Sequence, residues 1–204
     1  YEWDAAFDAL KKLEEETGTV LEDSPTINVS SDDTQGLKEP HEFPALSLAK
    51  TKKVTDLVKW ASDRAIFLSW KLDGLTLVVT YDNGKLTKVV TRGDGHVGTN
   101  ITHLAGAIHG IQKTIKEKGH LVIRGEAVIS YEDFEQFVLE SGEDYANPRN
   151  LASGSLSLKD SEEVERRNIH WIPFTLVYTE KTIVSWGEQM QYLRDLGFTV
   201  VDHE

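Results

Sequence analysis

Lys71 closes an apolar run and stands directly before an Asp-Gly pair, in Lys71-Leu72-Asp73-Gly74. A side-chain amine attacks an electrophile only when neutral, and its reference pKa of about 10.4 keeps it protonated at pH 7. A nucleophilic lysine must therefore be desolvated or set beside other cations. Taken alone, the tetrapeptide is better read as a strand that ends at the surface, with Asp73-Gly74 making a turn. Its company argues for chemistry: "TRGDG" at 91–95, "RGEA" at 124–127 and "NPRNLASGSL" at 147–156 are dense in glycine, arginine and carboxylate. These segments read as loops, in which glycines let backbone approach a ligand closely, arginines match phosphate oxygens in a planar fork, and carboxylates hold ribose hydroxyls or a hydrated cation. Together these residue types describe a nucleotide pocket.

The elements that must carry these residues are legible from periodicity. "WDAAFDALKKLEEET" spaces Ala6, Phe7, Leu10 and Leu13 along one helical face and stops at Gly18. Residues 22–44 are rich in Asp, Ser, Thr and Pro and read as a long irregular connection and a possible domain boundary. "TKKVTDLVKWASD" predicts a helix, "AIFLSW" and "LTLVVTY" predict strands, and Asn83-Gly84 predicts a tight hairpin turn. "NITHLAGAIHGI" suits a helix capped by Asn100, "HLVIRGEAVI" a strand, and "SYEDFEQFVLE" a helix capped by Ser130. "NIHWIPFTLVY" reads as a buried strand and "SWGEQMQYLRDLGF" as a helix packing Met190, Leu193 and Leu196. Strands outnumber covering helices and at least one hairpin is clear, so the fold class is α+β with largely antiparallel sheets.

Composition bounds the possibilities. A chain of 204 residues with 39 % apolar content can bury a proper core, as one large domain or one domain plus a fragment. No stretch approaches the roughly 20 apolar residues of a membrane span, and a cytoplasmic location without membrane partners is expected. With no cysteine and seven dispersed histidines, neither disulfides nor a structural metal site is expected. A formal charge of −12 argues against a general basic field for nucleic acid, so any DNA contact must be local. The basic groups "KTKK" at 50–53 and "ERR" at 165–167 read as solvated helix faces.

Lys71-Leu72-Asp73-Gly74 resembles the first signature of covalent nucleotidyltransferases. In combination with "HEFPALSL", "TRGDG", "RGE" and "NPRNLASGSL", it is similar to the adenylation domain of bacterial NAD-dependent DNA ligases, over about residues 4–202. The resemblance implies the fold shared by DNA ligases and mRNA capping enzymes, with residues 1–21 as the last helix of a nicotinamide-mononucleotide-binding subdomain. Residues 22–44 would be a connector, and 45–204 a C-terminally incomplete nucleotidyltransferase domain. It implies that Lys71 attacks the α-phosphorus of NAD to form lysyl-AMP, with Mg²⁺ offsetting phosphate charge. The AMP would later pass to the 5′-phosphate of a nick in duplex DNA, in a protein expected to be a monomer. Residue by residue, Asp73 would orient the lysine or a cation, Arg92 would reach ribose or phosphate, and Glu126 the ribose hydroxyls. Glu126 and Asp73 would also meet the metal through water. Ser47 and Leu48 would line the adenine site beside Leu72, with Phe174 stacked on the base. Arg149 would contact nick phosphates, and Asp4, Phe7 and Asp8 would face the nicotinamide half.

The chain also departs from that pattern. Ser69 stands where the family has a glutamate that reads the adenine amino group, and Ser157 where it has a second arginine aimed at DNA. Thr99-Asn100 replaces a Glu-Asp pair. Looser base selectivity and poor nick binding are the expected results. The alternative from another class is a module that binds AMP or NAD without chemistry.

Overall fold

Asn83 and Gly84 both adopt positive φ, 49° and 75°, and turn β2 (Leu75–Asp82) directly into β3 (Lys85–Thr91). Glycine enters that region at no steric cost and asparagine at little, so the hairpin predicted from the dipeptide forms where expected. It belongs to a computed structural model that describes residues 2–21, 24, 26, 36–47 and 49–204. The hairpin is half of a four-stranded antiparallel sheet in the order β3-β2-β5-β6, with β5 at Leu121–Val128 and β6 at His170–Thr179. The α+β class with antiparallel pairing is the observed one.

Strand alternation divides the sheet into two faces. Leu75, Leu77, Val79 and Tyr81 of β2 join Leu121, Ile123 and Ala127 of β5 in the main core. This face is covered by Leu104 of a short 3₁₀ helix (Thr102–Ala107), Leu151 of α4 (Pro148–Ser155), and Met190 and Leu193 of α6 (Trp186–Asp195). Each such side chain contributes about 1.5–3 kcal/mol by leaving water. The second face carries a smaller cluster, Val78, Val122 and Ala45, with Phe43 and Val177 against it. Ala45 and Phe43 belong to an extended strap, residues 38–47. The strap begins as β1 (Lys38–Pro40) paired with β4 (Val97–Thr99), so the stretch expected to be irregular contains a strand.

The remaining helices are α1 (Glu2–Thr17), α2 (Val54–Ala61), α3 (Tyr131–Ser141) and α5 (Ser161–Glu165). Ser130 caps α3 by accepting the Asp133 amide, as its position predicts. Four expectations need correction. "AIFLSW" is not a strand: its only pairing among the described residues is a bridge between Ser69 and His203, flanked by two hydrogen bonds between Leu68 and Glu204. "NITHLAGAIHGI" forms only a 3₁₀ helix at Thr102–Ala107: Asn100 does accept the Thr102 amide as a cap would, but Gly106 and Gly110 weaken an α-helix. "NPRNLASGSL" is a helix rather than a loop, started by the Asn147 cap and by Pro148 in its first turn. Within "ERR", Arg167 is buried, with its guanidinium 5.0 Å over the Phe137 ring. No helix among the described residues is long and apolar enough to cross a membrane.

Candidate functional site

Strand β5 places Arg124 and Glu126 on one face, opposite Val78 and Thr76 of β2. Glu126 is buried, and both of its oxygens are engaged: Oε1 accepts the Gly74 amide at 3.1 Å and Oε2 the Thr76 hydroxyl at 2.8 Å. The first bond fastens the lysine loop to the strand that carries "RGE". Gly74 has to be glycine there, because a Cβ would collide with the Ala127 carbonyl. Burial pushes the Glu126 carboxyl above its ordinary range, against the opposing pull of Thr76, Gly74 and the charges of Arg149 and Lys71. Both cations therefore act on Glu126 through space.

Lys71 itself is exposed, so the desolvation expected of a nucleophile is not supplied by the described residues. Asp73 is engaged by Arg149, whose Nη1 donates to Oδ1 at 3.0 Å. The "KLDG" and "NPRN" segments are thereby tied to each other, with Arg149 delivered by the first turn of α4.

Arg92 follows β3. Its amide donates to the Thr76 carbonyl at 2.9 Å and its Nη1 reaches the Ser47 hydroxyl at 3.5 Å. In the same loop Asp94 accepts the amides of His96 and Val97, which hold its carboxyl below the usual range, so this carboxylate builds the turn. Arg124 donates to the Pro44 carbonyl at 3.0 Å. Burial, then the like charge of Arg92, disfavours its cation. The two arginines thus hold the strap by its main chain and by Ser47.

Phe174 is half-buried at a bulge of β6, skipped between the pairs Arg124–Thr175 and Gly125–Pro173. Its carbonyl accepts the Trp186 indole N–H at 3.0 Å. In α1, Phe7 lies under the Lys50 ammonium at 5.5 Å and Asp8 is exposed, while Asp4 falls in the same helix. Leu48 lies outside the described residues.

A cavity of about 590 Å³ adjoins the lysine loop and takes in Leu72, Asp73 and Arg149 of the predicted set. Its wall adds His109 and His170, stacked with ring centroids 4.8 Å apart, and Asn147 and Ser130 at the starts of α4 and α3. Burial and the neighbouring His109 lower the His170 pKa. Sequence reasoning missed this wall, and also Thr76, Arg124 and the histidine pair. Thr76 alone carried a signal, as an outward-facing position of a strand leading out of the lysine motif.

Metal-binding capacity is limited. Among the described residues no three His, Asp or Glu side chains gather as a ligand set, Glu126 has both oxygens engaged, and Asp73 is paired. These residues do not fit a directly held cation.

The sheet, with its lysine loop locked to a buried glutamate and flanked by two arginines, is that of an α+β nucleotidyltransferase domain. Residues 38–204 match the model of the NAD-dependent DNA ligase adenylation domain, and the chain belongs to that family. It is 44 % identical over 210 residues to a DNA ligase of Lachnoclostridium phytofermentans, covering 100 % of this chain and 32 % of that protein. A DNA ligase of Ruminiclostridium cellulolyticum is 44 % identical over 207 residues, covering 98 % and 32 %. One from Leptospira biflexa is 40 % identical over 172 residues, covering 81 % and 26 %. The chain therefore spans about a third of the length of these relatives.

Proposed function

We propose that this chain forms the self-adenylating centre of an NAD-dependent DNA ligase. Lys71 Nζ, once deprotonated, attacks the α-phosphorus of NAD: an N–P bond forms, the phosphoanhydride P–O bond breaks, and nicotinamide mononucleotide leaves with its phosphate. Arg92, with Ser47 beside it, binds the ribose or phosphate, and Glu126 accepts ribose hydroxyls at the mouth of the site. Phe174 offers its ring to the adenine base, whose site Leu72 and Leu48 complete. Asp73 and Arg149 keep the lysine loop and the "NPRN" helix together until nick phosphates compete for Arg149. Asp4, Phe7 and Asp8 face the nicotinamide half; Mg²⁺, which the described residues do not hold directly, would offset phosphate charge when it comes with the nucleotide. The AMP is then passed to the 5′-phosphate of nicked duplex DNA, in a cytoplasmic monomer.

The observation that supports this reading best is the hydrogen bond from Gly74 to Glu126, together with that from the Arg92 amide to the Thr76 carbonyl. Three motifs far apart in sequence meet at one end of one sheet face, with Lys71 close enough for its charge to act on Glu126. The test is intact-mass measurement of the denatured full-length protein after incubation with NAD and Mg²⁺. An AMP adduct is expected with NAD and not with ATP. Lys71→Ala and Lys71→Arg should show none while keeping the wild-type circular dichroism spectrum, since a guanidinium stays protonated. Nucleotide binding without any adduct would establish the binding module instead.

A further inference from the structure

His120, just before β5, faces carboxylates from two parts of the fold. Its Nδ1 is 2.6 Å from Asp82 Oδ1 at the end of β2, and its Nε2 is 3.0 Å from Glu42 Oε2 on the strap. A carboxylate accepts hydrogen bonds and donates none, so only the doubly protonated ring satisfies both contacts. The neutral ring has one N–H and would aim a lone pair at the other carboxylate. Its remaining surroundings are compatible with the cation. The Tyr178 ring lies 5.4 Å away and stacks in turn on Phe43 of the strap at 5.2 Å. Glu180, after β6, accepts the His120 amide at 3.3 Å. Lys88 on β3 acts only on Asp82 through space and is itself paired with Glu39 of the strap.

We infer that His120 is a positioning residue: as a cation it ties the strap to the sheet through Glu42 and so holds Ser47 and the Pro44 carbonyl in register over Arg92 and Arg124. The inference rests on the proposed role of Ser47 and Arg92 in holding nucleotide. Hydrogen bonding to Asp82, then the charge of Glu42, raises the His120 pKa, and Asp82 is lowered in the same pair. The sign follows. The clamp is complete while His120 is protonated, and it is lost as pH rises through the raised pKa. The shorter Asp82 contact keeps the remaining N–H, so Glu42 is released. His41, on the same strap, donates Nε2–H to the Arg92 carbonyl at 2.9 Å, a bond that the neutral Nε2–H tautomer and the cation both make.

The experiment follows the His120 ring by NMR through its titration in the 204-residue chain, alongside exchange of the His41 and Ala45 amides. These donate to the carbonyls of His96 and Gly95 at 2.8 and 2.7 Å and report on strap attachment. Protection, corrected for intrinsic exchange, should fall as the ring loses its proton. In Glu42→Ala, which removes the acceptor at a 60 % exposed position, protection should be low and flat throughout. Protection that ignores the ring's titration, or that is equal in Glu42→Ala and wild type, overturns the inference. AMP affinity, titrated calorimetrically over the same range, should weaken by about two- to fivefold, the worth of one partly exposed ion pair. If protection follows the ring while AMP affinity stays constant, the clamp stands and the assignment of Ser47 to the nucleotide site falls.

Discussion

Glu126 is a buried carboxylate whose charged form burial disfavours and two hydrogen bonds hold. Glu126 favours its protonated form more in the folded chain than in the unfolded one, because desolvation raises its pKa above 4.5. Its contribution to stability is therefore full below that ordinary value and lost as pH rises through the folded one. Chemical denaturation should show wild type losing stability relative to Glu126→Gln between pH 4.5 and neutrality, because the amide can accept from Gly74 and donate to Thr76 without charge. Thr76→Val strands one oxygen of a charged group and should cost about 1.5–3 kcal/mol at neutral pH, measured in the same way. Lys71, Arg92 and Glu126 stood out in the sequence as candidates because their motifs are dense in glycine, arginine and carboxylate. Arg124 and His120 could not, since one partner is a main-chain carbonyl and the other's carboxylates come from strap and sheet. Neither arrangement leaves a spacing to read.

At the scale of elements, the glycine of "KLDG" and the cap of α4 set different demands. Gly74→Ala drives a methyl into the Ala127 carbonyl, which backbone on both sides prevents from yielding. Its cost should reach the upper end of the roughly 1–3 kcal/mol of overpacking and displace Lys71 as well. Asn147→Ala removes only the acceptor for the Asn150 amide and should cost about 1 kcal/mol. Urea unfolding midpoints order the two variants, and loss of AMP labelling beyond the loss of stability should mark Gly74→Ala alone. The four strands of the central sheet, the hairpin, α3 and α6 were legible because their periodicity and caps agree. The segment at 65–70 was not, because its apolar residues do not enter a ladder: Phe67 leaves to pack against Trp186 and His203. Helix α4 was hidden by its glycine and serines, although Asn147-Pro148 is a cap followed by a first-turn proline.

For the whole molecule, net charge outweighs any single cation. At −12, with Arg149 already paired to Asp73 and Ser157 in place of a cation, one or two phosphate contacts remain for DNA. These 204 residues should bind nicked duplex no more tightly than roughly 10⁻⁴ M at physiological salt. Fluorescence titration of labelled nicked DNA checks this, and micromolar affinity would place the DNA surface elsewhere. The pairing of Leu68 with Glu204 bears on how such a protein is made. A ribosome releases Lys71 long before it releases the residues that fasten the segment leading to it. Contacts between chain regions so distant close late in folding. The nascent domain can thus build its central hairpin while the segment leading to Lys71 is still open at one end, and only translation through residue 204 completes its fastening.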